Sequence, residues 1–194
     1  MGTDQEIRRR FKVIDGDNLP HKTRNCSRDE LAKFMGDMGF NTGAEIGVER
    51  GTYSAILCKA IPKLKLKLVD PWDAWGGTSK NRSENNMKWA IRNTRRFNRE
   101  FIRKSSLEAV KDIPDGSLDF VYIDEIHEFD SVMTDLIHWS PKVRPGGIVS
   151  GHDYSNAFYR YGVIHAVRAY TYAHNIYHWY VTNLDEHPSF FWVR

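Results

Sequence analysis

The sequence predicts an α/β fold in which helices cover both faces of a mostly parallel sheet. Short apolar runs of strand length alternate along the chain with segments of helical periodicity. Such alternation is typical of parallel strands joined by crossover helices, because each helix buries an apolar side against the sheet. Two aromatic-rich runs, 176–181 and 190–193, close the chain on either side of a polar turn. They predict a final strand pair, and therefore an antiparallel C-terminal strand.

Length and composition limit the classes of protein to which this chain can belong. Its 194 residues are 41% hydrophobic and 27% charged, which predicts one globular domain and excludes general disorder. The formal net charge of +3 is too small to mark a nucleic-acid binder by itself. No apolar run approaches the ~18 residues of a membrane span, and the charged start of the chain is unlike a secretory signal. Cys26 and Cys58 make no disulfide framework, so we expect a cytoplasmic protein without a membrane partner.

The first elements follow from local signals. Residues 1–27 are polar and basic without a sustained period, which predicts an extended arm or lid ahead of a single domain, 28–194. A helix is predicted from Ser27, because Glu30 three residues later completes a capping box. Gly39 ends that helix, since glycine is the usual residue just beyond a helix C-terminus.

The later elements alternate in type. The strands are short runs of Val, Ile, Leu and aromatic residues, and the helices carry apolar residues three and four positions apart. Pro62 stops one helix, and the Gly146–Gly147 pair predicts a turn directly before one strand. In chain order we predict strand 44–48, helix 53–61, strand 64–69, helix 83–97, strand 101–103, helix 107–111, strand 118–123, helix 131–139, strand 148–149 and helix 161–174.

A glycine-bearing turn after the first predicted strand indicates a cofactor pocket. Gly47 and Gly51 lie between this strand and the next helix, where glycine lets a ligand approach the backbone. The spacing is not the dinucleotide G-x-G-x-x-G, and Glu49 between them would repel a pyrophosphate, so NAD and nucleoside triphosphates are disfavoured. Asp70 ends the second strand, where a carboxylate typically accepts hydrogen bonds from ribose hydroxyls. With Glu45, these residues predict a pocket for a ribose-bearing cofactor without a pyrophosphate.

Four polar residues at the ends of two later strands form the candidate catalytic group. Asp124 follows the buried strand 118–123, and His127 comes three residues later. His152 and Asp153 follow the next strand, and the carboxyl ends of neighbouring strands meet at the ligand-binding edge of an open α/β sheet. Two carboxylates and a histidine can bind a divalent cation, which lowers the pKa of a substrate hydroxyl. His127 has the residue type of a general base near neutral pH.

The first of these motifs resembles the class I S-adenosylmethionine-dependent methyltransferases. The match is E-x-G-x-x-x-G over 45–51, followed by an acidic end to the second strand. By that resemblance Gly47 and Gly51 pass under the methionine part of the cofactor, Glu45 helps to orient it, and Asp70 holds the ribose. The region where that family meets adenine is matched by Ser105 and Ser106.

The second pair of motifs is similar to the metal-dependent O-methyltransferases of the macrolide-sugar and catechol types. The match is D-x-x-H at 124–127 and P-G-G-x-x-x-G-H-D-Y at 145–154. The resemblance implies that Asp124 and Asp153 bind Mg²⁺ or another divalent cation, that Asp124 also contacts the cofactor, and that His127 acts as base. His152 stands where the macrolide-sugar relatives have Glu, and is the expected third ligand. The implied fold is a Rossmann-like three-layer α/β/α sandwich with seven strands in the order 3-2-1-4-5-7-6.

The resulting expectation is O-methylation of a small-molecule or sugar hydroxyl, and two alternatives stay open. The segment 80–104 carries nine Lys and Arg against two Glu, which favours a metal-independent methyltransferase with an acidic or nucleic-acid acceptor. Glu49 and His152 depart from the family motifs, which favours a non-catalytic cofactor-binding module. A homodimer is the commonest assembly for soluble enzymes, and the sequence leaves the oligomeric state open.

Two aromatic segments have both a functional and a structural interpretation. In the loop 71–82, Trp72, Trp75 and a glycine pair predict either an aromatic lid over the cofactor or a packed surface loop. The aromatic residues of 154–161 predict either a wall of the acceptor pocket or packing of the last helix on the sheet.

Overall fold

The computed structural model describes residues 2–15, 19–73, 79–155 and 162–194. Within these residues the chain forms eight strands and seven α-helices, with short 3₁₀ turns at Val110–Asp112 and Ser140–Lys142. In chain order they are α1 Thr3–Arg10, β1 His21–Lys22, α2 Arg28–Asp37, β2 Thr42–Ile46, α3 Thr52–Ala60, β3 Lys65–Val69, α4 Lys80–Thr94, β4 Arg99–Ile102, α5 Ser106–Ala109, β5 Leu118–Ile123, α6 Phe129–Trp139, β6 Val143–Gly151, α7 Val163–Ala173, β7 Trp179–Val181 and β8 Phe190–Val193.

The strands form one mixed sheet in the order β1-β7-β8-β6-β5-β2-β3-β4. Only β8 runs against the others, since it pairs antiparallel with both β6 and β7 while every other pair is parallel. Counted from β2, the seven later strands have the order 3-2-1-4-5-7-6, which confirms the predicted Rossmann-like fold. No helix in the described ranges has the length and apolar character that a membrane crossing requires.

The N-terminal segment differs from the extended arm expected for it. It contains helix α1 and an eighth strand, β1, which adds to the edge of the sheet beside β7. Ile7 and Phe11 are fully buried, one helical turn apart, and Tyr180 donates a 2.6 Å hydrogen bond to Asp4. Ile7 and Phe11 are too few among the charged residues to show the apolar period of a helix, so the sequence did not predict one. Their burial is nevertheless enough to hold the helix against the core.

The sheet has an apolar core on each face. On β5, Phe120 and Tyr122 point into the core shared with α2 and α3, whereas Val121 and Ile123 point into the core shared with α6 and α7. This alternation follows from the two-residue period of a strand. Asp124 follows Ile123, the last residue of β5, and therefore lies at the carboxyl edge of the sheet.

The Gly146–Gly147 pair lies inside β6, not in a turn before it. The pairing register of β5 and β6 shifts between Leu118 and Phe120, since Leu118 pairs with Val143 and Phe120 with Ile148. A Cβ on Gly147 would lie 2.4 Å from the carbonyl oxygen of Asp119, so no larger residue fits. The predicted strand 148–149 therefore extends back to Val143, and it ends at Gly151 beside the end of β5.

Candidate active site

The turn after β2 is held in a conformation that only glycine tolerates. Gly47 has φ 86°, and a Cβ there would lie 2.1 Å from the carbonyl oxygen of Asp124. Gly51 has φ 68° and is the N-cap of α3. A Cβ on Gly51 would lie 3.0 Å from the Cα of Ala90 in α4. Gly47 thus allows the end of β2 to contact the end of β5, and Gly51 allows the start of α3 to contact α4 at Ala90.

Glu45 is buried on β2 just before that turn. It accepts a hydrogen bond from the Ser54 hydroxyl of α3. Burial raises its pKa to about 8, and the nearby negative charge of Asp124 adds to the effect. Burial therefore favours the protonated form of the Glu45 carboxyl group.

Asp70, at the end of β3, organises the same turn. Its Oδ2 accepts hydrogen bonds from the backbone N–H groups of Val48 and Glu49, at 3.0 and 2.9 Å, and its Oδ1 accepts one from Trp72 at 2.7 Å. Burial raises the pKa of Asp70 despite these bonds. A carboxylate has about four acceptor positions, so one remains for a ligand hydroxyl.

Two cavities open on either side of this turn. One of about 360 Å³ is lined by Arg28, Glu45, Asp124 and His127 among others. The other, of about 430 Å³, is lined by residues that include Asp70, Trp72 and Ser105. Both are in the size range of small-molecule sites, and Glu49 and Glu125 line both. The cavities therefore form one elongated site along the carboxyl edge of the sheet.

The two serines predicted near adenine have different surroundings. Ser105 borders the 430 Å³ cavity, and its hydroxyl donates to Glu108 at 2.7 Å as part of the cap of α5. The Ser106 hydroxyl is used inside the protein, where it donates to Asp135 and accepts from the Trp139 indole at 2.8 Å. Ser106 lines a third cavity of about 300 Å³, adjacent to the second.

The four candidate catalytic residues come together where β5 and β6 end. Ile123 and Gly151 are paired across these strands, so the residues that follow them emerge side by side. His127 Nε2 lies 2.9 Å from Asp153 Oδ2 and 3.4 Å from Asp124 Oδ1. His152 Nδ1 lies 3.4 Å from Asp153 Oδ2 and 3.7 Å from Asp124 Oδ1. Asp153 adopts φ 56°, a left-handed conformation that is uncommon outside glycine and is typical of constrained functional sites.

The charges of this group stabilise each other. Burial by itself would lower the pKa of His127, but its hydrogen bonds to Asp124 and Asp153 outweigh burial and raise the pKa to about 9. Burial likewise opposes ionisation of Asp153, yet His127 and His152 hold the pKa of Asp153 well below its usual range. Both partners therefore indicate an ion pair between His127 and Asp153.

Arg28 is a residue of this site that the sequence analysis missed. It follows the N-cap of α2, and its guanidinium lies 5.0 Å from the centre of the Tyr53 ring and 3.4 Å from His152 Nε2. The one signal in the sequence is a cation in the first turn of a helix, where the helix dipole disfavours positive charge. Glu125, which lines both main cavities, was missed as well; burial and the charges of Asp135 and Asp70 raise its pKa to about 7.

Three of the clustered residues form a possible cation site. One ligand atom each from Asp124, His152 and Asp153 lies within 4.8 Å of the others. Two carboxylates and an imidazole suit Mg²⁺ or Mn²⁺, so the donor set fits a divalent cation. A guanidinium only donates hydrogen bonds, so the contact with Arg28 places the lone pair of His152 on Nε2 and its proton on Nδ1. His152 can bind a cation through Nδ1 only in the other tautomer.

The aromatic segments are described in part. Trp72 is buried, its indole donates to the Glu49 carbonyl at 2.9 Å, and it forms a packed wall of the 430 Å³ cavity. Tyr154 packs against Trp179 and accepts a 3.0 Å hydrogen bond from Arg168. Trp75, the glycines 76–77 and the aromatic residues 158–161 lie outside the described residues.

Comparison with known proteins gives matches over this same region. The family described as a methyltransferase domain matches residues 44–154, which is more than half of the chain. "Uncharacterized protein y4gI" of Sinorhizobium fredii (strain NBRC 101917 / NGR234) is 37% identical over 68 residues, 35% of this chain and 7% of that protein. The chain thus spans a small part of that relative's length.

Solved structures show the same fold over most of the chain. The O-methyltransferase NovP is 19% identical, with a TM-score of 0.64 over 86% of this chain and 79% of that one. The O-methyltransferase from Bacillus cereus, in complex with SAH, is 15% identical, with a TM-score of 0.63 over 98% of this chain and 96% of that one. At these identities the likeness establishes the fold alone.

Proposed function

Because the chain belongs to the methyltransferase-domain family, we propose that it transfers the methyl group of S-adenosylmethionine to a hydroxyl oxygen of a small molecule or sugar. One observation carries the proposal: Asp124 belongs both to the elongated cavity and to the carboxylate–histidine cluster. A cofactor in the cavity and an acceptor at the cluster would therefore meet at the same strand end. Such proximity supplies much of the catalytic effect in a transfer between two bound molecules.

The cavity residues match the parts of the cofactor. S-adenosylmethionine, when bound, supplies a methyl group on a positively charged sulfur. In the 360 Å³ cavity Arg28 would pair with its α-carboxylate and Asp124 with its α-ammonium group. In the 430 Å³ cavity Asp70 keeps an acceptor position for a ribose hydroxyl, and Ser105 borders the space left for the base.

His127 is the residue that would take the acceptor's proton. It lines the 360 Å³ cavity, and its contacts with Asp124 and Asp153 fix the direction of the ring. In the transfer the new oxygen–carbon bond would form as the carbon–sulfur bond breaks, with the electron pair left on sulfur. The hydroxyl proton would pass to Nε2 of His127 after that nitrogen has lost its own proton and its contact with Asp153. A positioned general base of this kind contributes about 10²–10⁴-fold to a rate.

Asp124, Asp153 and His152 would hold a divalent cation beside His127. When bound, such a cation supplies Lewis acidity that lowers the pKa of a hydroxyl. His127 and the cation would share the oxygens of Asp153, so the acceptor oxygen is expected next to both.

A second candidate is the same transfer without a metal. It is favoured by the placement of Arg28, whose guanidinium lies 3.4 Å from His152 Nε2. To bind a cation through Nδ1, His152 would have to carry its proton on Nε2, and that proton would face the N–H groups of Arg28. In that case Arg28 and His127 would balance the two carboxylates, and Arg28 would stabilise the developing alkoxide.

Calorimetric titration with S-adenosylhomocysteine, in Mg²⁺ and then in EDTA, tests the proposal. We expect micromolar binding, about −8 kcal/mol. Asp70→Asn should weaken this binding. Asp37→Asn is the control and should not, because Asp37 is an exposed residue of α2. A panel of hydroxyl acceptors is then scored for release of S-adenosylhomocysteine in both conditions. Turnover only with Mg²⁺ supports the metal-dependent reaction, and equal turnover in EDTA supports the metal-free one. Absence of cofactor binding by the wild-type protein would overturn the proposal.

A further inference from the structure

Helix α4 presents a continuous cationic side to solvent. Ser83, Asn86, Ala90 and Thr94 are buried on one side of the helix. The residues on the opposite side, and the two that follow the helix, are exposed. We name it the α4 basic face; its cations are Arg82, Lys88, Arg92, Arg95 and Arg96, and Asn81 and Asn85 lie among them.

The cations of the α4 basic face have no acidic partner in the part of the chain that the structure describes. Among the described residues no carboxylate lies within 4.0 Å of any of the five, whereas nearby Lys67 is paired with Glu100 at 2.6 Å. The first turn of α4 contains no acidic residue, so Arg82 also faces the positive end of the helix dipole. Lys88 and Arg92 are spaced four apart, where like charges destabilise a helix, whereas Arg92, Arg95 and Arg96 lie at its C-terminal end, where the helix dipole favours positive charge. The charges of Arg82, Lys88 and Arg92 are thus not neutralised by a carboxylate within the described residues, which leaves them available to an anion from outside.

One aromatic ring lies within this face. Trp89 is 47% exposed, and the Arg92 guanidinium lies 5.1 Å from the centre of the ring. An exposed ring beside arginines is the combination on which bases of single strands stack, while the arginines contact phosphates. A lipid surface would call for several apolar residues on the same side, and here the apolar Ile91 lies at its border.

We propose that the α4 basic face binds single-stranded nucleic acid, with phosphates along the five cations and a base on Trp89. The face runs from Arg82 to Arg96, about 21 Å at the rise of an α-helix, which is long enough for several phosphates. It is separate from the proposed cofactor site, because the opposite side of the same helix, through Ser83 and Asn86, lines the 430 Å³ cavity. The proposal thus goes beyond methyl transfer and does not depend on it.

Fluorescence anisotropy with a labelled twelve-nucleotide oligouridine RNA tests the proposal between 50 and 200 mM salt. Five phosphate contacts would give a slope of log K against log salt of about −3.5 on single strands. Arg92→Glu with Arg96→Glu should weaken binding at least tenfold and make that slope shallower by about 1.4. Trp89→Ala should weaken binding about five- to a hundredfold and leave the slope unchanged.

The matched control reverses two charges at the opposite edge of the sheet. Lys22→Glu with Arg24→Glu changes the net charge by the same amount and should leave RNA binding within about twofold. Thermal melting and S-adenosylhomocysteine binding show that each variant is folded. Equal losses in both double variants, or no RNA binding by the wild-type protein, would overturn the proposal. Tighter binding of phosphatidylserine vesicles or of polyglutamate than of RNA would overturn the assignment to nucleic acid.

Discussion

His127 Nε2 lies 2.9 Å from Asp153 Oδ2, although 26 residues separate the two in the chain. The contact exists because β5 and β6 are neighbours whose ends are in register. Neither residue belongs to a helix or strand, and both depend on the sheet for their position. The candidate chemistry is therefore a property of two adjacent strand ends, and each member of the pair can be tested separately.

Replacing His127 should remove catalysis and leave the cofactor site intact. We expect His127→Ala to lower kcat about 10²–10⁴-fold, because the acceptor hydroxyl loses its base. The Kd of S-adenosylhomocysteine should change less than threefold. His178→Ala is the matched control, since that exposed histidine also pairs with an aspartate, Asp4, but at the far edge of the sheet. An unchanged kcat in His127→Ala would show that another group accepts the proton.

Replacing Asp153 should weaken binding of a divalent cation. Asp153→Asn is the suitable variant, because asparagine tolerates the left-handed φ of 56° and keeps the local backbone. A titration with Mn²⁺, monitored by electron paramagnetic resonance, should show that Asp153→Asn binds Mn²⁺ at least tenfold more weakly than the wild-type protein does. Asp130→Asn, in the first turn of α6, is the control. Equal Mn²⁺ affinity in both variants would place the cation elsewhere.

Arg28 should recognise the amino-acid part of the cofactor. Arg28→Gln removes one of the two arginines that line the 360 Å³ cavity, the other being Arg50, so S-adenosylhomocysteine should bind about tenfold or more weakly. Methylthioadenosine, which lacks the amino-acid part, should bind the variant and the wild-type protein equally. Asp70→Asn, by contrast, should weaken both ligands, because its carboxylate lines the other cavity. A loss of methylthioadenosine binding in Arg28→Gln would indicate a disturbed fold in place of a lost charge pair.

The sequence predicted the parts of the site that depend on strand ends. Asp124 and Asp153 each follow a short apolar run, and the parallel order of those runs brings them together. Arg28 could not be found in that way, because its neighbours His152 and Tyr53 lie far along the chain and only packing of α2 brings them together. The two-residue strand β1 was missed for the same reason, since its pairing depends on β7.

Asp119 should stabilise the sheet from the edge opposite the site. It accepts hydrogen bonds from the backbone N–H groups of Asn41 and Thr42, at 2.7 and 2.9 Å, and from the Arg144 guanidinium at 2.6 Å. It thereby ties the starts of β2, β5 and β6 together. Asp119→Asn should lower the free energy of unfolding by about 2 kcal/mol, measured by urea denaturation at pH 7.

The contribution of Asp119 should depend on pH in a defined direction. Burial opposes its ionisation, but the three hydrogen bonds outweigh burial and lower the pKa of Asp119 in the folded protein. A lowered folded pKa means that the stabilisation is present in full above the unfolded value, near 4, and is lost as the pH falls toward the folded pKa. The stability difference between wild type and Asp119→Asn should therefore be constant from pH 7 to about 5 and shrink below pH 4. A difference that does not vary with pH would assign the effect to packing.

Gly47 and Gly39 provide a matched test of how closely the β2 turn must approach β5. Both have left-handed φ angles, 86° and 77°, so a side chain strains the backbone at either position. A Cβ on Gly39 would meet nothing within 4 Å, whereas one on Gly47 would lie 2.1 Å from the Asp124 carbonyl oxygen. Gly39→Ala should cost about 1 kcal/mol in the free energy of unfolding. Gly47→Ala should cost clearly more and also weaken S-adenosylhomocysteine binding, because Asp124 must move. Equal costs at the two positions would show that the turn can shift away from β5 without loss.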